Sequence, residues 1–160
     1  RRKLKSRRVS LALDVSGSML EYSVWALAIA MLFSNSVEKL TLFSHEIRRV
    51  EGPLSKLELA EVLLGMRFQG YTDIYNALQE ACDTTTKRVV VISDLKQTVA
   101  SGDPAEVVSE YRRRGYKMLF ITPPDYDPIM RESLELAGAR VAIAYKPQDA
   151  AREVLRYMMR

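Results

Sequence analysis

Five short runs of this chain, Val9 to Leu13, Leu40 to Phe43, Val89 to Ile92, Met118 to Ile121 and Val141 to Ala144, are apolar on nearly every consecutive position. Alternation would mark strands with one wet face, whereas continuous runs of this length mark strands covered on both faces. The intervening segments carry helical spacing. Ile47 to Val50 is more polar and follows Phe43 too closely for a crossover, so it is expected to form an antiparallel edge strand. The pattern predicts an α/β fold: a doubly wound, mostly parallel six-stranded sheet with helices on both faces and right-handed crossovers.

Helix punctuation supports this. Asp103-Pro104 and Asp127-Pro128 each place a capping acid before a proline at the first helical position, and Gly115 and Gly138 stand where those helices should stop. Tyr22 to Phe33 is apolar around every face, which predicts the most buried helix of the fold; it is too short for a membrane span. Ile74, Ala77, Leu78, Ala81 and Cys82 share one helical face, making Cys82 a core thiol.

With 160 residues, 48% hydrophobic and 28% charged, the chain can build one substantial core. We expect a single domain over 9–160 behind a basic lead-in over 1–8. A lone cysteine excludes an internal disulfide, and no apolar run approaches the roughly 20 residues of a membrane span, so a reducing, cytoplasmic setting is expected. The sequence starts without Met, directly before its first strand, and reads as the C-terminal part of a longer protein. The net charge of +4 is concentrated in Arg1, Arg2, Lys3, Lys5, Arg7 and Arg8; the remaining 18 basic residues against 20 acidic ones leave −2. A nucleic-acid-binding face is not expected from that distribution.

Sheets of this class bind ligands at the carboxyl ends of their strands, where strand order reverses. Asp14-Val15-Ser16-Gly17-Ser18 follows the first strand, and Ser93-Asp94 follows the Val89 strand. In an extended turn, alternate residues point the same way, so Asp14, Ser16 and Ser18 can converge, with Gly17 letting the backbone fold around them. Gly70-Tyr71-Thr72-Asp73 can bring the Thr72 hydroxyl to the same edge. Two carboxylates and several hydroxyls, without His or Cys, suit a hard divalent cation such as Mg²⁺ better than zinc.

Asp14-x-Ser16-x-Ser18, then Thr72, then Asp94 after an apolar strand, resembles the metal-ion-dependent adhesion site of von Willebrand factor A (VWA) domains. The basic lead-in, Tyr22 early in the first helix and the short Phe43-Ser44 strand end look most like the prokaryotic CoxE-like branch. The resemblance implies strand order 3-2-1-4-5-6, with Ser16 and Ser18 as direct ligands of Mg²⁺ or Mn²⁺. It further implies that Thr72 binds directly or through water, and that Asp14 and Asp94 act through metal-bound waters. It implies an interaction module rather than an enzyme, capturing an Asp or Glu of a partner protein, either a MoxR-type AAA+ ATPase or its client. Tyr71 and Leu95, which stand where the family often has glycine, are expected to supply apolar rim contacts. Asp73 is expected to cap the following helix, and His45, the only histidine, to be an exposed turn residue.

Two other classes are expected to fit less well. In an Mg²⁺-dependent phosphotransferase, Asp14 would be the nucleophile, Asp94 a metal ligand, and Lys96 or Thr98 a phosphate contact. An RNA-associated module would use the basic arm and Arg112-Arg113-Arg114, although cations at a helix end have a simpler explanation in the helix dipole.

Overall fold

A computed structural model describes residues 7–159. Of the basic lead-in, only Arg7 and Arg8 fall within them; residues 1–6 lie outside the described residues. Arg7 donates to the Met158 carbonyl and Arg8 to that of Asn35, at 2.9 Å for the latter.

The chain runs β1 (Val9–Asp14), a 3-10 turn (Gly17–Tyr22), α1 (Ser23–Met31), β2 (Val37–Phe43), β3 (Ile47–Glu51), α2 (Lys56–Leu64) and α3 (Ile74–Cys82). It continues through β4 (Arg88–Ile92), α4 (Pro104–Arg113), β5 (Lys117–Thr122), α5 (Pro128–Ala137), β6 (Arg140–Ile143) and α6 (Pro147–Met159). One six-stranded sheet has the order β3-β2-β1-β4-β5-β6; β3 is antiparallel to β2 and every other pair is parallel.

Because the strands are apolar on consecutive positions, each supplies both faces of the sheet. Leu11, Leu13, Leu40, Leu42, Val90 and Ile92 point into a core closed by α1, α2 and α6. Ala12, Val89, Val91, Met118 and Phe120 point into the opposite core, closed by α3, α4 and α5. Asp103 accepts from the amide of Ala105, and Asp127 from those of Ile129 and Met130, as the Asp-Pro signatures predict. Cys82 is a buried core residue whose thiol is pushed up to about 12 by burial.

One expectation needs correction. The helix within Tyr22 to Phe33 is not buried all round: Ala26, Ile29 and Ala30 are buried, but Val24 is 80% exposed and Leu27 only half-buried. The helix lies on the sheet alongside α6 and α2, and among the described residues its outer side, with Val24 and Leu32, is left exposed. An all-apolar sequence cannot distinguish a helix packed on every side from one with an uncovered face.

A feature that the sequence reading missed is Lys39, on β2, which is only 2% exposed. Its ammonium donates to the carbonyls of Glu80 at 2.7 Å and Asp83 at 2.9 Å, and pairs with the Glu80 carboxylate at 3.0 Å. A lysine reaching up from the sheet thus caps the end of α3, holding the Asp83 carbonyl just past the helix and sharing the Glu80 carbonyl with the Asp83 amide.

Candidate metal centre

The sheet order reverses between β1 and β4, and the register sets Leu13 opposite Ile92, so Asp14 and Ser93 emerge side by side at the carboxyl edge. Asp14 is fully buried. Its Oδ1 accepts from the Ser16 amide at 2.9 Å and the Ser16 hydroxyl at 2.6 Å, and its Oδ2 accepts from the Ser93 hydroxyl at 2.6 Å. The Ser16 and Ser18 hydroxyl oxygens lie 3.3 Å apart. Ser16 precedes the 3-10 turn, yet its side chain makes no capping bond, so its hydroxyl belongs to the Asp14 cluster and not to helix punctuation. Gly17 is not there for backbone freedom: its φ is not positive, and a Cβ would meet only ordinary contact at 3.6 Å from the Gly70 carbonyl.

Two further loops close over this edge. The Gly17 amide donates to Gly70 and the Gln69 amide to Val15, both at 2.9 Å, docking the Gly70 loop onto the first. Gly70 has φ +89°, and a Cβ there would fall 2.6 Å from the His45 ring, so glycine is required. His45 is therefore more than a turn residue; its Nδ1 accepts from the Tyr71 amide at 3.2 Å and its ring meets Tyr71 edge-on. Thr72 is buried and locked to the loop after β4: its amide donates to the Thr98 hydroxyl at 2.9 Å, and its carbonyl accepts from the amides of Thr98 and Val99. Asp73 caps α3, accepting from the Asn76 amide and also from the Ser101 hydroxyl at 2.6 Å.

Asp94 completes the set. It is fully buried; its Oδ1 accepts from the Lys96 amide at 3.2 Å, while its Oδ2 has no hydrogen-bond partner. A buried carboxylate oxygen left unpartnered is costly and implies a missing positive or donating group. Ser93, which the sequence reading passed over, fixes the local geometry: besides holding Asp14, its hydroxyl accepts from the Leu95 amide at 3.0 Å. That turn forces Leu95 to φ +64°, a conformation glycine adopts without cost, and drives its side chain into the core beside Ala12, Phe43 and Ile74. Leu95 is wholly buried and cannot be a rim contact, which corrects the expectation; Tyr71, 68% exposed, can.

Among the described residues no three His, Cys, Asp or Glu side chains form a metal cluster, so a cation here would rest on the two carboxylates plus hydroxyls. Oxygen donors of this kind fit a hard divalent ion.

Burial pushes the Asp14 carboxyl up to about 6, opposed by its bonds from Ser16 and Ser93, with the Asp94 charge adding to the rise. In the ion-free domain Asp14 thus binds its proton more tightly folded than unfolded. Its contribution to stability is therefore lost as pH rises from its ordinary value of 3.8 through about 6. In EDTA, the wild-type melting temperature should fall more between pH 4 and pH 7 than that of Asp14→Asn. Parallel profiles would show that Asp14 is not perturbed in this way.

The family described as VWA domain containing CoxE-like protein matches residues 1–154. No curated protein sequence matches. Among solved structures, an aerotolerance-related membrane protein from Bacteroides fragilis is 13% identical with a TM-score of 0.72, covering 93% of this chain and 96% of that one. A von Willebrand factor type A protein from Catenulispora acidiphila is 16% identical with a TM-score of 0.68, covering 92% of this chain and 41% of that one. Proximal thread matrix protein 1 from the mussel byssus, with a zinc-occupied MIDAS motif, is 12% identical with a TM-score of 0.69, covering 94% and 47%. At these identities the likeness is one of fold. No helix among the described residues is long and apolar enough to cross a membrane.

Proposed function

The chain belongs to the VWA domain containing CoxE-like proteins, a class of metal-dependent interaction modules, and from that premise we propose that Asp14, Ser16, Ser18, Thr72 and Asp94 hold one Mg²⁺ or Mn²⁺ through which an acidic side chain of a partner protein is captured. The observation that carries this reading is the unpartnered, buried Asp94 Oδ2 on the edge where Asp14, Ser16 and Ser18 form one hydrogen-bonded chain. Bound there, a divalent cation supplies a Lewis-acidic centre that balances two carboxylates and accepts an outside oxygen donor.

The chain's own residues define what can approach. Ser93 and the Ser16 amide orient Asp14 from behind, leaving the exposed Ser18 toward solvent. Thr98 and Val99 anchor the Thr72 backbone, and Tyr71 stands beside it as an exposed aromatic wall. Metal identity rests on the oxygen-only donor set, which favours Mg²⁺ or Mn²⁺; the zinc in the mussel protein's motif makes Zn²⁺ the comparison ion. The partner we propose is a MoxR-type AAA+ ATPase or a client of it. A phosphotransferase is less well supported, because both Asp14 oxygens are occupied by internal donors and the side chain is fully buried, which suits a positioned base of a binding site and not a nucleophile meeting a phosphoester.

Capture from native lysate tests the reading. Partners retained by the immobilised chain in Mg²⁺ should be lost in EDTA and lost with Thr72→Ala, and restoring Mg²⁺ should recover them for the unmutated chain only. Recovery of the same partners with and without EDTA would move the interaction to another surface.

A further inference from the structure

Two residues beyond Asp94, the Lys96 amide bonds to Asp94 Oδ1, so the lysine side chain starts directly beside the buried carboxylate. Asp94 Oδ2 nevertheless has no partner. The Lys96 ammonium instead turns away to the Asp125 carboxylate, 2.8 Å distant, on the loop after β5. That loop is itself tied to the site, since the Asp127 amide donates to the Asp94 carbonyl at 3.1 Å. The ammonium therefore sits on an exposed aspartate and not on the fully buried carboxylate oxygen beside which its own backbone is fixed.

We propose that Lys96 is a built-in competitor for the cation position and that Asp125 holds it off the Asp94 carboxylate. The inference rests on the reading of the site as a metal centre and adds its regulation: the Lys96–Asp125 pair sets how readily the site loads. With Asp125 removed, the lysine can fold back on its flexible stem and satisfy Asp94 Oδ2 itself, as a compact cation with rotatable donors. Because Asp125 is exposed, any contact that engages it, such as a basic side chain of a partner, would release Lys96 toward the site and favour ion loss.

The discriminating experiment is a double-mutant cycle read by calorimetric titration with Mn²⁺ alone, on the full chain. Asp125→Asn should weaken Mn²⁺ binding about tenfold, the scale of one unit charge brought next to the site in a partly wet environment. Lys96→Gln should bind at least as tightly as the unmutated chain, in which the lysine is already held off, and the double variant should bind like Lys96→Gln, because Asp125 has nothing left to restrain. An equal loss on Asp125→Asn in both backgrounds would mean that the two charges act independently at a distance and would overturn the inference while leaving the metal site intact. Absence of Mn²⁺ uptake by the unmutated chain would overturn the site reading and this inference with it. Both side chains are partly exposed, and a cooperative melt in EDTA checks that the variants fold.

Discussion

Ile29→Asp should leave the chain without a cooperative thermal transition. Ile29 is fully buried on the inner side of α1, in the core that α1 shares with α2, α6 and the β1, β2, β4 and β5 side chains. The change loses the burial of a large aliphatic side chain, about 1.5–3 kcal/mol, and places a carboxylate where no donor is available, which costs several kcal/mol more. Together these approach the whole stability of an ordinary domain, about 5–15 kcal/mol. Leu27→Asp, at a half-buried position two residues away, should be milder and retain a lowered but cooperative melt. Near-wild-type melting of Ile29→Asp would contradict the packing of α1 on the sheet.

The second large effect is at Lys39. Lys39→Ala should destabilise the domain by about 1–3 kcal/mol, as leaving a buried acceptor without its donor does. It strands the Asp83 carbonyl, leaves the Glu80 carbonyl with the Asp83 amide alone, and leaves the Glu80 carboxylate, among the described residues, with the exposed Arg49, 3.2 Å away. Lys39→Met keeps the apolar stem and should lose less, separating packing from charge. Chemical denaturation of both variants measures this, and a loss under about 1 kcal/mol for Lys39→Ala would show that water replaces the ammonium without cost.

Lys39 also illustrates what a sequence hides. A charged residue entering an apolar strand reads as a solvent-facing position, and only the crossing of α3 over β2 turns it into a helix cap. The strands themselves were legible because burial on both faces writes continuous apolar runs, and β3 because its polar residues and short connection to Phe43 point to an antiparallel edge. Asp103 and Asp127 announced their helices through the prolines that follow them. Around the site, Asp14, Ser16 and Ser18 do meet as their spacing suggested, but only Ser16 is extended; Ser18 comes to it from the 3-10 turn that follows. The role of Ser93 was not legible, since it depends on the β1–β4 register that sets it opposite Asp14. Leu95 was misread for a related reason: its left-handed backbone turns an apolar loop residue inward, and sequence carries no sign of φ for a residue other than glycine.

At the centre of the proposed function is a divalent ion held by Asp14, Ser16 and Asp94. Calorimetric titration of Mn²⁺ into the metal-free chain should give one site per chain with micromolar to millimolar affinity, as expected of a hydrated oxygen-ligand site. Mg²⁺ should compete, and the site should be lost in the Asp14→Ala, Ser16→Ala double variant and weakened in Asp94→Ala, each still folded by circular dichroism. Undiminished Mn²⁺ binding by the folded double variant would place the metal elsewhere and contradict the account.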